Sequence, residues 1–169
     1  DRLRELFPGV PRLALTATAT PIVRKEIVER LALDDPAVFV SPFDRPNIRY
    51  LVQPKTDTRR QLGEFLRGHA DETGIVYCLS RKKTESIAES LRDSGYNALP
   101  YHAGLDPAVR VKNQDDFLNE ELDVIVATIA FGMGIDKANV RSVVHFDLPD
   151  TLEAYYQELA GPAEMVYIL

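Results

Sequence analysis

Residues 75–95 read Ile-Val-Tyr-Cys-Leu-Ser-Arg-Lys-Lys-Thr-Glu-Ser-Ile-Ala-Glu-Ser-Leu-Arg-Asp-Ser-Gly. The opening apolar run is short for a helix and predicts a strand covered on both faces. Ser80 then offers a hydroxyl to the unpaired N–H groups of a helix start. Thr84, Ile87, Ala88 and Leu91 follow at helical spacing, and Gly95 closes the helix. The same unit recurs on both sides. Downstream, residues 98–101 predict a strand, Asp106-Pro107 opens a helix through Phe117 and Leu118, and Val124-Ile125-Val126-Ala127 is a strong β run. Residues 142–146 predict another strand, 152–159 a helix carrying Tyr155 and Tyr156, and 165–169 a final strand. Upstream, Leu62, Phe65 and Leu66 suggest a helix. Strands that alternate with helices of this length predict an α/β fold, a mostly parallel sheet with helices on both faces in three α/β/α layers.

The first third is read the same way. Residues 13–17 form a short apolar run, expected as a strand. Thr20 and Pro21 supply an N-cap and a proline at the first helical position. Val23, Ile27, Val28 and Leu31 mark the helix's buried stripe, and Leu33-Asp34-Asp35-Pro36 ends it. Residues 41–49 carry two prolines that favour an extended path, so they are read as a linker between residues 1–40 and 50–169.

At 169 residues and 45% hydrophobic content, the chain can hold one cored domain plus a modest extra piece. No apolar stretch reaches the roughly 18 residues that a membrane helix needs, and the first residues are charged, so no membrane partner is expected and the chain reads as intracellular. The one cysteine, Cys78, rules out an intrachain disulfide and a cysteine-built zinc site. It is expected to be a small buried hydrophobe. A net charge of −6 argues against a surface coated in Lys and Arg. A groove that grips a strand with a few amides and hydroxyls is compatible with it.

The sequence has no Gly-x-x-x-x-Gly-Lys-Ser/Thr and no Gly-Lys pair, hence no loop to cradle nucleotide phosphates. His-Glu-x-x-His, Gly-x-Ser-x-Gly and EF-hand loops are absent too, and no metal site is expected. In parallel sheets ligands meet the carboxyl ends of strands, which directs attention to residues 79–81, 101–104, 128 onward and 147–149. After the 124–127 strand, Gly132 and Gly134 would let the backbone turn sharply or approach a ligand, with Asp136 and Lys137 just beyond. On spacing alone this is either a functional loop or an ordinary glycine-containing turn.

Residues 127–137, Ala-Thr-Ile-Ala-Phe-Gly-Met-Gly-Ile-Asp-Lys, together with residues 143–149 and Tyr155-Tyr156-Gln157-Glu158, resemble motif V and the approach to motif VI of RecQ-family DNA helicases. Residues 15–19 are similar to helicase motif III, 43–50 to the family's lobe junction, and 75–80 with 101–104 to motif IV and its neighbour. The matches keep the family's order over nearly the whole chain. The resemblance implies the end of one RecA-like lobe (residues 1–40), a linker (41–49) and a second RecA-like lobe (50–169). It implies a motor of DNA repair and recombination that uses ATP and Mg²⁺ and moves 3′ to 5′ on single-stranded and partly duplex DNA, with lobe one as a structural partner. By position, Thr16 and Thr18 would couple ATP state to DNA grip, and Arg45 and Asp136 would lie towards the nucleotide. Ser80, Arg81, His102, Gly104 and Thr128 would face DNA phosphates, where hydroxyls and N–H groups hold the backbone without reading sequence. A linker arginine paired with a carboxylate, and a satisfied structural histidine, are the plainer readings of Arg45 and His102. Tyr155 and Tyr156 are expected to pack into the core and not to stack on bases.

One departure stands out. The family's Gly-Arg-Ala-Gly-Arg-Asp-Gly loop should follow Glu158, but Leu159-Ala160-Gly161-Pro162 stands there and both arginines are missing. An arginine finger contributes about 10³ to 10⁵ in rate, so this chain is expected to bind no cofactor and turn over no ATP alone. Two origins fit: a loop deleted or replaced, and a loop that the protein carries but these residues skip. A non-catalytic nucleic-acid-binding or interaction module with this fold, and an RNA helicase lobe, are the alternative functions. The 11–33 segment belongs by resemblance to lobe one, so without that lobe's sheet it should expose an apolar stripe and dock abnormally or contact a neighbouring chain.

Overall fold

A computed structural model of the protein describes residues 2–16, 19–41, 46–70, 72–128, 131, 139–151, 154–155 and 164–169. The chain divides into two compact units, Asp1–Arg45 and Pro46–Leu169.

The first unit holds α1 (Arg2–Leu6) and α2 (Pro21–Arg30). Thr20 caps α2 as expected: its hydroxyl accepts from the Val23 N–H at 3.3 Å, and Pro21 follows in the first turn. Neither helix has a buried residue. The expected stripe is therefore not buried, and Ile22 is 73% exposed and Val23 42% exposed. The strand expected at the 13–17 run does not form over its described part: residues 11–16 are irregular, with Leu13 80% and Leu15 84% exposed. A strand exists only through a neighbouring backbone that takes its N–H and C=O groups, and no described strand pairs with these residues.

The second unit is built on six strands: β1 (Arg49–Val52), β2 (Thr73–Tyr77), β3 (Ala98–Tyr101), β4 (Val124–Ala127), β5 (Val140–His145) and β6 (Met165–Ile168). Helices α3 (Thr58–Arg67), α4 (Arg81–Asp93) and α5 (Pro107–Leu118) alternate with them. The sheet order is β1-β6-β5-β2-β4-β3, and every pairing is parallel. β1 escapes the periodicity reading because it is a four-residue edge strand with only Leu51 partly covered. Ile48, read from its prolines as linker, is buried in this unit's core, and Arg49 opens β1.

Alternation along the strands sorts side chains into two cores. Val76 and Cys78, Val124 and Val126, Val144 and Phe146 face α3 and α4, meeting Leu62, Phe65, Leu66, Ile87, Ala88 and Leu91. Ile75 and Tyr77, Ile125 and Ala127, Val143 and Val166 face the other way, towards Phe117 of α5. These are the three layers expected, and Cys78 is the small buried hydrophobe expected. The helix expected at 152–159 lies mostly outside the described residues. Of its two tyrosines, Tyr155 packs on the second core, as expected, and Tyr156 is not described.

At the start of β2, the Gly74 backbone lies close against the Ser142 side chain of β5. A Cβ added to Gly74 would sit 2.8 Å from Ser142 Oγ in the neighbouring strand. Gly74→Ala is therefore expected to destabilise by about 1–3 kcal/mol through overpacking. Ser142 is buried, and its hydroxyl has no hydrogen-bond partner among the described residues. Ser142→Ala in the same chain should recover most of the loss, which paired thermal melts would read directly; equal melting temperatures for Gly74→Ala and the parent would refute the crowding.

Candidate nucleic-acid interface

Backbone hydrogen bonds continue past the strands at their carboxyl ends. Thr128 donates to the Tyr101 carbonyl (3.2 Å), Cys78 to Ala127 (2.9 Å) and Phe146 to Tyr77 (3.0 Å). Those bonds hold the ends of β3, β4, β2 and β5 side by side, at the usual spacing of about 4.8 Å per strand. The connection from β2 leads to β3 at one edge of the sheet, whereas β5 leads to β6 on the other side. Adjacent strands whose connections diverge leave a crevice above their carboxyl ends, where ligands of open α/β sheets bind. A pocket of about 310 Å³ lies there, lined by Cys78, Leu79, Thr128, Pro149, Asp150, Thr151 and Ala154.

Ser80 ends β2's extension and caps α4, accepting from the Lys83 N–H at 3.3 Å. The hydroxyl proton is not used in that bond and can still be given to an anion. Arg81, the first residue of α4, is exposed and lies across Gly104. A Cβ on Gly104 would come 2.9 Å from Arg81 Nη1, so the glycine makes room for the guanidinium. Thr128 is half-buried at the pocket wall. His102 is different. The ring is 2% exposed; its Nδ1 accepts from the Gly104 N–H at 3.2 Å, and its Nε2 meets Glu85 Oε1 at 3.0 Å. Because Nδ1 faces a donor, the proton that bridges to Glu85 sits on Nε2. Both ring nitrogens are thus committed inside the protein, and the side chain holds the loop that presents Gly104.

Asp147, at the end of β5, binds the edge together. Lys83 Nζ lies 2.7 and 2.9 Å from its two oxygens, Lys55 Nζ 3.3 Å away, and the Leu79 N–H donates to it at 3.3 Å. Both lysines also sit over the Phe146 ring, at 5.8 and 5.4 Å from its centroid. Around Asp147 two ammonium groups meet one carboxylate; exposed Arg81 and Lys82 add positive charge along the edge, and Asp150 and Glu85 add negative charge. The edge thus mixes both signs, with Arg81 and Lys82 exposed on it, on a chain that is acidic overall. Burial pushes the Asp147 carboxyl up, but hydrogen bonds from Lys83, the Leu79 amide and Lys55 outweigh it and hold it below the ordinary aspartate value. A carboxyl depressed in the folded state stabilises the fold above its unfolded pKa of about 3.9 and loses that contribution as pH falls through the folded value. Asp147→Asn should therefore flatten the loss of stability below about pH 4 while leaving the shape of the curve from pH 6 to 8 unchanged. Urea midpoints measured against pH would show it, and parallel acid limbs for the two proteins would argue against it.

Of the residues expected from sequence, Ser80, Arg81, Gly104 and Thr128 are placed along this edge, with His102 buried beneath Gly104. Thr16 is exposed in the first unit. Thr18, Arg45 and Asp136 lie outside the described residues, as do Gly132, Gly134 and residues 156–163. Sequence reading missed Glu85, Lys83 and Lys55. Glu85 could have been noticed from its spacing of four residues from Arg81; nothing local marks Lys55, which reaches Asp147 across 92 positions.

A family model described as helicase conserved C-terminal domain matches residues 57–160. The ATP-dependent DNA helicase RecQ of Pasteurella multocida (strain Pm70) is 51% identical over 170 residues, covering 97% of this chain and 27% of that protein. RecQ of Haemophilus influenzae (strain ATCC 51907 / DSM 11121 / KW20 / Rd) is 49% identical, with 97% and 28% covered. The RecQ-like DNA helicase BLM of Xenopus laevis is 46% identical over 160 residues, covering 92% of this chain and 12% of that protein. The chain thus spans little more than a quarter of the two bacterial relatives. Among solved structures, S. cerevisiae Dbp5 bound to RNA and ADP BeF3 aligns with a TM-score of 0.80 over 99% of this chain and 47% of that one, at 19% identity. At that identity the likeness is one of fold.

Proposed function

Because this chain belongs to the helicase conserved C-terminal domain family, in its RecQ branch, we propose that it is the second RecA-like lobe, with the end of the first, of an ATP-dependent 3′-to-5′ DNA helicase. Residues 1–40 are assigned to the tail of lobe one and 50–169 to lobe two, with the connection between them. The substrate is single-stranded and partly duplex DNA, encountered inside the cell in repair and recombination.

What carries the reading is one observation: the hydroxyls, the glycine loop and the exposed arginine of Ser80, Gly104, Thr128 and Arg81 stand along one edge of a parallel sheet, at the carboxyl ends of its strands. Phosphate is held there by charge, hydroxyl donors and close backbone approach, with no apparatus for reading bases. His102 serves by fixing the Gly104 loop. Thr16 and Thr18 are assigned to coupling nucleotide state to DNA grip, and Arg45 and Asp136 to the nucleotide side. ATP with Mg²⁺ supplies the phosphoryl transfer that drives stepping in the complete helicase. These 169 residues contain no P-loop and no motif VI arginines, so turnover is assigned to the longer protein alone.

The deciding experiment is ATPase and strand separation by the full-length protein on 3′-tailed and 5′-tailed DNA duplexes, with an RNA duplex in parallel. DNA-stimulated hydrolysis and unwinding from the 3′ tail are expected. Binding without hydrolysis would point to an interaction module, and stimulation by RNA only would point to an RNA helicase; either result would overturn the proposal.

A further inference from the structure

We infer that Glu85 and His102 form a positioning pair that keeps Arg81 free of a carboxylate, so that its guanidinium stays available to a phosphate; the inference rests on the reading of Arg81 given above. Arg81 and Glu85 stand four residues apart on α4, the spacing at which opposite charges meet across one helical turn. Elsewhere in this protein basic residues followed by acidic ones at that spacing do close: Lys25 with Glu29 at 3.9 Å, Arg60 with Glu64 at 3.3 Å, and Lys112 with Asp116 at 2.5 Å. Arg81 and Glu85 do not. Glu85 turns instead to His102 Nε2 at 3.0 Å, and among the described residues Arg81 has no carboxylate partner.

The diversion is built from the inside of the fold. His102 is buried and anchored on its far side by the Gly104 N–H, so its Nε2–H has a fixed direction and Glu85 comes to it. Arg81 is held away by the other end of the same loop, because its guanidinium rests where a Gly104 side chain would be. One helix thus grips the 102–104 loop twice, through Glu85 at His102 and through Arg81 at Gly104. If either grip fails, the two charges are free to pair on the helix, and the arginine is engaged by a carboxylate before any phosphate arrives.

The test is a pair of double-mutant cycles in the full-length protein, reading the affinity for a fluorescent oligo-dT at low salt without nucleotide. His102→Leu releases Glu85, and Gly104→Ala pushes Arg81 off the loop. Gly104 is exposed and its φ is not in the left-handed region, so the alanine is tolerated by the backbone and this cycle survives even if His102→Leu fails to fold. Each single change is expected to weaken binding about twofold, the competition that an ion pair across one helical turn can offer, and the same change made on a Glu85→Gln background to leave it unchanged, because no carboxylate remains to capture the arginine. Arg81→Gln is the control. Should Arg81→Gln weaken binding while the Gly104→Ala loss is absent or persists undiminished with Glu85→Gln, the positioning role is wrong and the phosphate reading stands. Should Arg81→Gln bind as well as the parent, the phosphate reading falls and the positioning role with it.

Discussion

Phe117→Ala should lower the free energy of unfolding by about 3–5 kcal/mol, the range for deleting a fully buried aromatic ring. The expectation is at the upper end because α5 has so little else. Its only buried residues are Phe117 and Asn113, and Asn113 contributes a hydrogen bond from Nδ2 to the Pro100 carbonyl at 2.8 Å. Phe117 is completely buried and packs edge-on against Phe131, with ring centroids 5.4 Å apart; Phe131 meets Tyr101 in the same manner at 4.6 Å. Tyr77 Oη donates to the Phe131 carbonyl at 3.2 Å. Phe131 is thus the point where the segment leaving Thr128 is fixed to the core, and removing the ring beneath it leaves a cavity that loosens the interface as well. A natural domain has about 5–15 kcal/mol to lose, so this one change should bring the protein close to unfolding. Urea denaturation gives the number. A loss below about 1 kcal/mol would mean that α5 is held by something other than this aromatic contact.

Arg81→Gln should weaken binding of single-stranded DNA by the full-length protein about tenfold, equivalent to roughly 1.4 kcal/mol. The substitution keeps a polar side chain and removes the charge. A phosphate contact also leaves a signature that a structural arginine does not: the slope of log affinity against log salt should shrink by about 0.7, the counterion release of one phosphate on a single strand. Arg81 is exposed and pairs with no carboxylate among the described residues, so the fold should not change and melting temperatures should coincide. A tenfold loss with an unchanged salt slope would assign the effect to shape and not to charge.

The two substitutions touch different kinds of information. Phe117 was legible as the end of a periodic stripe, and so were the caps: Thr20, Ser80 and Asp106 each accept an N–H of the helix they precede. Ser80, Arg81, Gly104 and Thr128 were reached through strand ends and resemblance, and the structure puts them on one edge. His102 was read two ways, and its geometry favours the satisfied structural histidine. The strand expected at the 13–17 run was misread because apolar character says only that a residue can be covered, not that a neighbouring strand is there to pair with it. β1 was missed for the converse reason: Arg49 and Tyr50 look like surface, yet their backbones pair with Met165 and Val166.

What the sequence determined by itself is what local chemistry controls. Alternating apolar period, capping hydroxyls and proline positions act over a few residues, and they fix a three-layer α/β unit and its helix starts. The sequence also shows directly that no P-loop and no motif VI arginines occur in these residues. Only the tertiary structure decided the strand order β1-β6-β5-β2-β4-β3 and the destinations of the charges: Asp147 to Lys55 and Lys83, Glu85 to His102 in preference to Arg81. Those outcomes depend on partners tens of residues apart, brought together when the buried strands close their ladder, and a one-dimensional pattern carries no term for that closure.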